Sequence, residues 1–207
     1  DSSNMCHETT SVALPAVIGV PVGTVHLEDF AKADCILFFG HNTTTNAPRL
    51  LHPLQEAARR DVPIVTFNPL RERGLERFVN PQDPLQMVIG GTRISSHYYQ
   101  VRTGGDLAAL TGLCKLLIEA DDAARRSGGE GALDHAFIRK HTHGFEAFAA
   151  FCRDRAWAEI EEVSGLTRAD LETVAAIYNR AKATILWFPS PPAWCCSLSR
   201  RQAISNG

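Results

Sequence analysis

The sequence is short of net charge. Its 207 residues carry 21 Lys and Arg against 23 Asp and Glu, a formal charge of −2, so no long-range field draws it to nucleic acid or to an anionic membrane. No apolar run approaches the roughly 20 residues that a membrane span needs. The first residues, Asp1 to His7, are polar, without the basic-then-apolar order of a secretory leader. The chain also lacks an initial methionine, as an excised or processed segment would. Among Cys6, Cys35, Cys114, Cys152, Cys195 and Cys196 there is no C-x-x-C pair, which argues against a zinc knuckle. Cys35 and Cys114 lie in apolar runs and read as buried thiols. Such cysteine usage suits a reducing compartment better than a disulfide framework, and a cytoplasmic location is expected. G-x-G-x-x-G and Walker A sequences are both missing, which counts against an ordinary dinucleotide or ATP site. There is no internal repeat.

What is present is an alternation of apolar strands and amphipathic helices. Asp34 to Gly40 and Pro63 to Phe67 are short apolar runs closed by Gly or Asn-Pro, the pattern of strands buried on both faces. Tyr98 to Arg102 and Thr184 to Phe188 read as two more strands. Helices are predicted over His26–Ala33 (with Thr24 a candidate N-cap), Ala47–Arg60, Arg71–Phe78 and Asp106–Arg125. The last has an apolar stripe of Leu107, Leu110, Leu113, Leu117 and Ile118. Three shorter helices fit Asp134–His141, Phe145–Arg153 and Arg168–Ala181. Ser3 to Thr24 reads as a loop with at most a short helix, Ser127 to Gly131 as an exposed connection, and Pro189 to Gly207 as irregular. The fold class that follows is α/β, a doubly wound and mostly parallel sheet. The domain plan is a loop segment over 1–25, one α/β domain over 26–188, and the tail.

Ligands of such sheets bind at the carboxyl ends of the strands. Three of these ends are rich in Gly and hydrogen-bonding residues: Gly40 to Asn46, Asn68 to Arg73, and Thr103 to Asp106. Glycine lets the backbone approach a phosphate, and helix starts offer unpaired N–H groups. Each loop taken singly is equally a polar turn or a helix cap. Cys6-His7 is the other candidate: a thiolate is a soft ligand for a redox metal, and a neighbouring imidazole can move a proton near neutral pH. From composition alone an exposed bystander thiol remains the competing reading. His41, His52, His97, His135, His141 and His143 form no metal-binding spacing.

An ordered set of motifs adds a resemblance. Asn4 to Glu8 is followed by Phe39-Gly40-His41-Asn42, then Asn68 to Arg73 with Arg77-Phe78, then Gln100 to Asp106. Asp134 to Ile138 and Thr142 to Glu146 complete the set. Over about residues 2–188 this order resembles the formate-dehydrogenase-like branch of the molybdopterin oxidoreductases. The fold implied is the Rossmann-like lobe of those enzymes. In that family the position of Cys6 is a cysteine or selenocysteine bound to molybdenum, so the resemblance implies Cys6 as metal ligand and His7 as its proton-accepting neighbour, the catalytic pair. It implies a molybdenum bis(molybdopterin guanine dinucleotide) cofactor. One dinucleotide would be lined by Gly40, Asn42, Thr45 and Asn46, with Asn68, Pro69, Arg102, Gly104 and Asp106 towards its guanosine end. A 4Fe–4S cluster would belong to the longer parent and not to this segment. The parent's partners would be a small substrate such as formate and an electron-transfer protein, with neither nucleic acid nor a membrane span involved.

The chain departs from the family's habit at Asn68-Pro69-Leu70, where Asp-Pro-Arg is common, and at Thr45 and Asn46, where an acidic residue and a serine are known. From Pro189 onward it no longer follows the family. The parent is expected to be an oxidoreductase and the isolated segment inactive. Two other readings use the same features: a nucleotide-binding module with no role for Cys6, and a truncated product whose open sheet edge aggregates.

Overall fold

The computed structural model describes residues 8–84, 88, 90–129 and 131–188, with the backbone of 195–200. Cys6 and His7 lie outside the described residues. The stretch read as one domain over 26–188 divides into two compact units, residues 1–98 with 181–207, and residues 99–180.

The first unit is built on the sheet. Helix α1 (Glu8–Ile18) precedes a 3-10 turn over Leu27–Ala31. The N-cap of that turn is His26, whose N–H donates to the Asp29 carboxylate, and not Thr24. Strand β1 (Cys35–Phe39) follows, then a one-turn helix α2 (Thr43–Asn46) and a 3-10 turn (Pro48–Leu50) that runs into α3 (Leu51–Arg59). The helix predicted over Ala47–Arg60 thus starts late and as a 3-10 turn: the residue before a proline avoids helical angles, and Ala47 stands at φ −148° and ψ 60°. Strand β2 (Ile64–Phe67) leads to α4 (Arg73–Glu76). Beyond it Arg77–Phe78, predicted as helix, forms β3 and pairs antiparallel with β4 (Thr92–Arg93). Strands β5 (His97–Tyr99), β6 (Ala183–Phe188) and β7 (Cys195–Arg200) complete the set.

The five-stranded sheet has the order β5-β2-β1-β6-β7. Strand β1 runs parallel to both neighbours, with Ile36 opposite Ile64 and Ile185; β7 is antiparallel to β6. The α/β class with a mostly parallel sheet is therefore as expected, while residues 195–200, expected to be irregular, form an edge strand. Every residue of β1 and of β2 is buried, which is why neither strand alternates polar with apolar. Ile36, Phe38, Ile64, Ile185 and Trp187 pack with Phe30, Leu50, Leu54, Ala57, Leu75 and Ile94. On the other face of β1, Phe39 stacks on Phe67 and on Phe188 at centroid distances of 4.7 and 5.0 Å. Burial also leaves the Cys35 thiol protonated, its pKa pushed up to about 12.

The second unit is helical: α5 (Asp106–Arg126), α6 (His135–His141), α7 (Phe145–Asp154), α8 (Trp157–Ser164) and α9 (Arg168–Arg180). Leu113, Leu117 and Ile118 of α5 are buried as the stripe predicts, but Leu107 is 74% exposed. A two-pronged contact from Arg153 to Asp122, at 2.8 and 3.0 Å, ties α7 to α5. Asp121, almost fully buried, accepts from the Leu133 N–H at 3.0 Å and pairs with His135 Nε2 at 2.6 Å, fixing the connection into α6. Among the described residues no helix is long and apolar enough to cross a membrane.

Candidate functional site

The sheet order places a switch at β1. The chain leaves β1 for β2 on one side, and the strand on the other side, β6, comes from the far end of the sequence. Such reversals open a crevice at the carboxyl ends of the strands, where ligands of open α/β sheets bind. The loop Gly40–Asn46 stands at that end of β1, and Asn68 stands at the same end of β2. The Gly40 N–H donates to the Phe67 carbonyl at 2.8 Å, so the two loops leave the sheet side by side. Gly40 has φ +51°, a left-handed turn that a side chain would strain.

Within the β1 loop, the Asn42 side-chain oxygen accepts from the Thr45 N–H at 3.1 Å, capping α2. Thr44, Thr45 and Asn46 are exposed, and Thr43 is fully buried. His41, half-buried, places its Nδ1 3.3 Å from the Thr43 hydroxyl. The ring meets Phe38 of β1 and Trp187 of β6 edge-on, at centroid distances of 5.8 and 5.9 Å. It therefore sits over the junction of those two strands. Burial holds its pKa below the ordinary value and keeps the imidazole neutral.

The β2 loop is organised differently. The Tyr98 hydroxyl donates to the Leu70 carbonyl at 2.7 Å, accepts from the Glu72 N–H at 2.9 Å, and accepts from the Asn68 amide at 3.4 Å. Arg71 lies over the Tyr98 ring, 5.7 Å from its centroid, and reaches Glu76 at 2.7 Å. Asn68, nominated for the ligand, is buried and tied to Tyr98; Pro69 beside it is half-buried. The loops also meet at α4: a Cβ added to Gly74 would lie 2.0 Å from the Thr44 Oγ1.

Arg102, Gly104 and Asp106 belong to the second unit. The Arg102 N–H donates to the Ser164 carbonyl at 2.8 Å and its guanidinium to the Glu162 carbonyl at 2.5 Å, so this side chain closes the end of α8. Gly104, with φ +81° and nothing within 4 Å of an added Cβ, is open. It lines a cavity of about 320 Å³ with Leu107, Phe151, Arg155, Ile160 and Val163 among others. Asp106 opens α5, its carboxyl pKa raised by burial. Among the described residues no group of three or more His, Cys, Asp and Glu could hold a metal ion.

Two participants escaped sequence reasoning. His41 was visible in the loop but was set aside because its spacing to other histidines suits no metal. Tyr98 read only as a strand residue. The signal for His41 was its place directly after the glycine that ends a buried strand.

No family model matches the chain. Over 189 residues, 91% of its length, it is 47% identical to the protein YdeP of Escherichia coli (strain K12), of which it spans 25%. It is 35% identical over 186 residues to an uncharacterized oxidoreductase of Mycobacterium tuberculosis (strain H37Rv), covering 90% of this chain and 23% of that protein. It is 20% identical to formate dehydrogenase H of Escherichia coli (strain K12), covering 89% and 22%. Among solved structures, acetylene hydratase from Pelobacter acetylenicus shares the fold with a TM-score of 0.67 at 17% identity, over 88% of this chain and 21% of that one. The chain thus spans about a quarter of the length of the curated relatives it matches.

Proposed function

We propose, from the premise that this chain belongs to the formate-dehydrogenase-like oxidoreductases, that it supplies one nucleotide-holding wall of a molybdenum enzyme's cofactor site. The parent would carry out a two-electron oxidation or reduction of a small molecule such as formate. The observation that carries the reading is the pairing of the β1 and β2 loops at the carboxyl ends of adjacent parallel strands, at the switch of the sheet. The residues present fit a phosphate-bearing ligand. Gly40 turns with positive φ, which lets a ligand come close to the backbone, and half-buried His41 stands over the junction of β1 and β6.

On this reading Gly40, Asn42, Thr45 and Asn46 would line one molybdopterin guanine dinucleotide, with Asn68 and Pro69 towards the guanosine. A second dinucleotide, a 4Fe–4S cluster and the electron-transfer partner belong to the rest of the parent. Cys6 would be the protein's ligand to molybdenum, and His7 would take the proton released when a substrate such as formate is oxidised. The cofactor supplies the two-electron chemistry, while this chain binds it and sets its electronics through the thiolate. The reading places the parent in a reducing, cytoplasmic setting, on cysteine spacing that suits no disulfide framework.

The test is the content of the purified full-length parent. Acid hydrolysis of a guanine dinucleotide releases GMP, so the reading expects molybdenum with two GMP per metal. Guanine nucleotide without molybdenum or tungsten would favour the non-catalytic module, and neither would overturn both.

A further inference from the structure

The polar groups of the two strand-end loops can be sorted by the bonds they make within the protein. The Asn42 oxygen serves the Thr45 N–H, the Asn68 amide serves Tyr98, and the Tyr98 hydroxyl serves Leu70 and Glu72. His41 differs. One ring nitrogen, Nδ1, meets Thr43, and among the described residues Nε2 has no hydrogen-bond partner. The ring is nevertheless held in place by Phe38 and Trp187.

The tautomer follows from Thr43. Its side chain is fully buried, and a buried hydroxyl must donate its proton to something. His41 Nδ1 is its neighbour at 3.3 Å. If Nδ1 accepts that proton, the neutral ring carries its own hydrogen on Nε2. Burial opposes a second proton on the ring. The carboxyl ends of β1 and β6 then carry an uncharged N–H donor on a ring held by Phe38 and Trp187, directly after a glycine with positive φ.

We infer that His41 is the residue that grips the bound nucleotide at the β1 loop, its Nε2–H donating to a phosphate oxygen. An ionised phosphate offers acceptors and no donors, which matches a lone N–H, and a bond to an anionic oxygen is stronger than one to a neutral group. The assignment rests on the nucleotide reading above. It differs from it in naming a side chain that the motif reading passed over.

The experiment uses the 207-residue chain with ¹⁵N-labelled histidine. Long-range ¹H–¹⁵N correlation reads the tautomer of His41, with His41→Gln identifying its signals. Guanosine diphosphate, inorganic diphosphate and guanosine are then added separately, and affinities are measured by calorimetry. The inference expects an Nε2–H tautomer whose signals move saturably with guanosine diphosphate and with diphosphate, but not with guanosine. His41→Phe should weaken guanosine diphosphate binding at least tenfold, and His41→Gln, which keeps an N–H donor, should recover part of it. Binding by the wild type with unmoved His41 signals and full affinity in His41→Phe would overturn the role of His41 alone. A shift produced by guanosine but not by diphosphate would overturn the phosphate assignment. No binding of guanosine diphosphate by the wild type would overturn this inference together with the nucleotide reading on which it stands.

Discussion

The β1 and β2 loops leave the same sheet side by side, and both are rich in polar residues, yet they use those residues differently. The β2 loop turns inward: Asn68, Leu70 and Glu72 all meet one hydroxyl, that of Tyr98. The β1 loop caps itself with Asn42 and holds His41 over the β1–β6 junction with one ring nitrogen already matched to Thr43. Polarity after a strand is thus no measure of ligand contact. It reflects either a loop that needs internal bonds to hold its shape or a loop that keeps a group for something else.

The difference can be broken by exchanging which loop is damaged. The largest effect on stability is expected from Tyr98→Phe, which removes the partner of the part-buried Glu72 N–H and of the buried Asn68 amide and leaves the exposed Leu70 carbonyl to water. Unmet polar groups of this kind cost roughly 1–3 kcal/mol, readable as a lower midpoint in urea unfolding. Guanosine diphosphate affinity should fall less than in His41→Phe, which strands only the Thr43 hydroxyl and should lower the midpoint by less than Tyr98→Phe does. If Tyr98→Phe weakens binding more than His41→Phe does, the division of labour is wrong.

A smaller effect is expected at Asn42. Asn42→Ala removes the cap of α2 and should cost about 1 kcal/mol, with Asn42→Asp or Asn42→Ser restoring most of it. A loss of affinity in Asn42→Ala that Asn42→Asp does not rescue would show that the Asn42 amide also meets the ligand, as the proposed lining of the dinucleotide has it.

The smallest expected effect is on pH dependence. The folded pKa of His41 lies below its ordinary 6.5, so as pH falls the unfolded chain takes the proton first. The contribution is fully present above about pH 6.5 and is lost as pH falls through the folded value. His41→Gln should therefore show a shallower loss of thermal stability than the wild type between about pH 7 and 5. Identical slopes would mean that the ring is solvated and not held over the junction.

Much of the sheet was legible in the sequence. Cys35–Phe39 is an unbroken apolar run stopped by Gly40, and Ile64–Phe67 is apolar but for Thr66 and stopped by Asn68-Pro69, the pattern of strands buried on both faces. What could not be read depends on contacts distant in sequence. The strand at Arg77–Phe78 exists because Thr92–Arg93 returns to pair with it. Strand β5 stops at Tyr99, short of the predicted Arg102, because the Arg102 N–H turns to the Ser164 carbonyl. Residues 195–200 have no strand pattern of their own and pair along β6, where an unpaired strand edge offers a row of backbone partners. Helix α8 was missed although Gly165, in the left-handed conformation at its end, was a usable stop signal; three glutamates in eight residues diluted its apolar spacing. The site divides in the same way. The loops and their glycines were visible, but the role of Tyr98 depends on partners nearly 30 residues away, and that of His41 on Trp187.

The central claim, that this chain carries the metal-binding thiolate of a molybdenum oxidoreductase, is tested most directly by X-ray absorption at the molybdenum edge. Wild-type parent and Cys6→Ala would be compared, each with its metal content and turnover. On the proposed reading the Cys6 thiolate would be one of the metal's own ligands, so its loss should alter the redox centre as well as substrate affinity. The account predicts one sulfur fewer around molybdenum in Cys6→Ala, with turnover down by orders of magnitude and the fold intact. An unchanged sulfur count together with unchanged activity would contradict it.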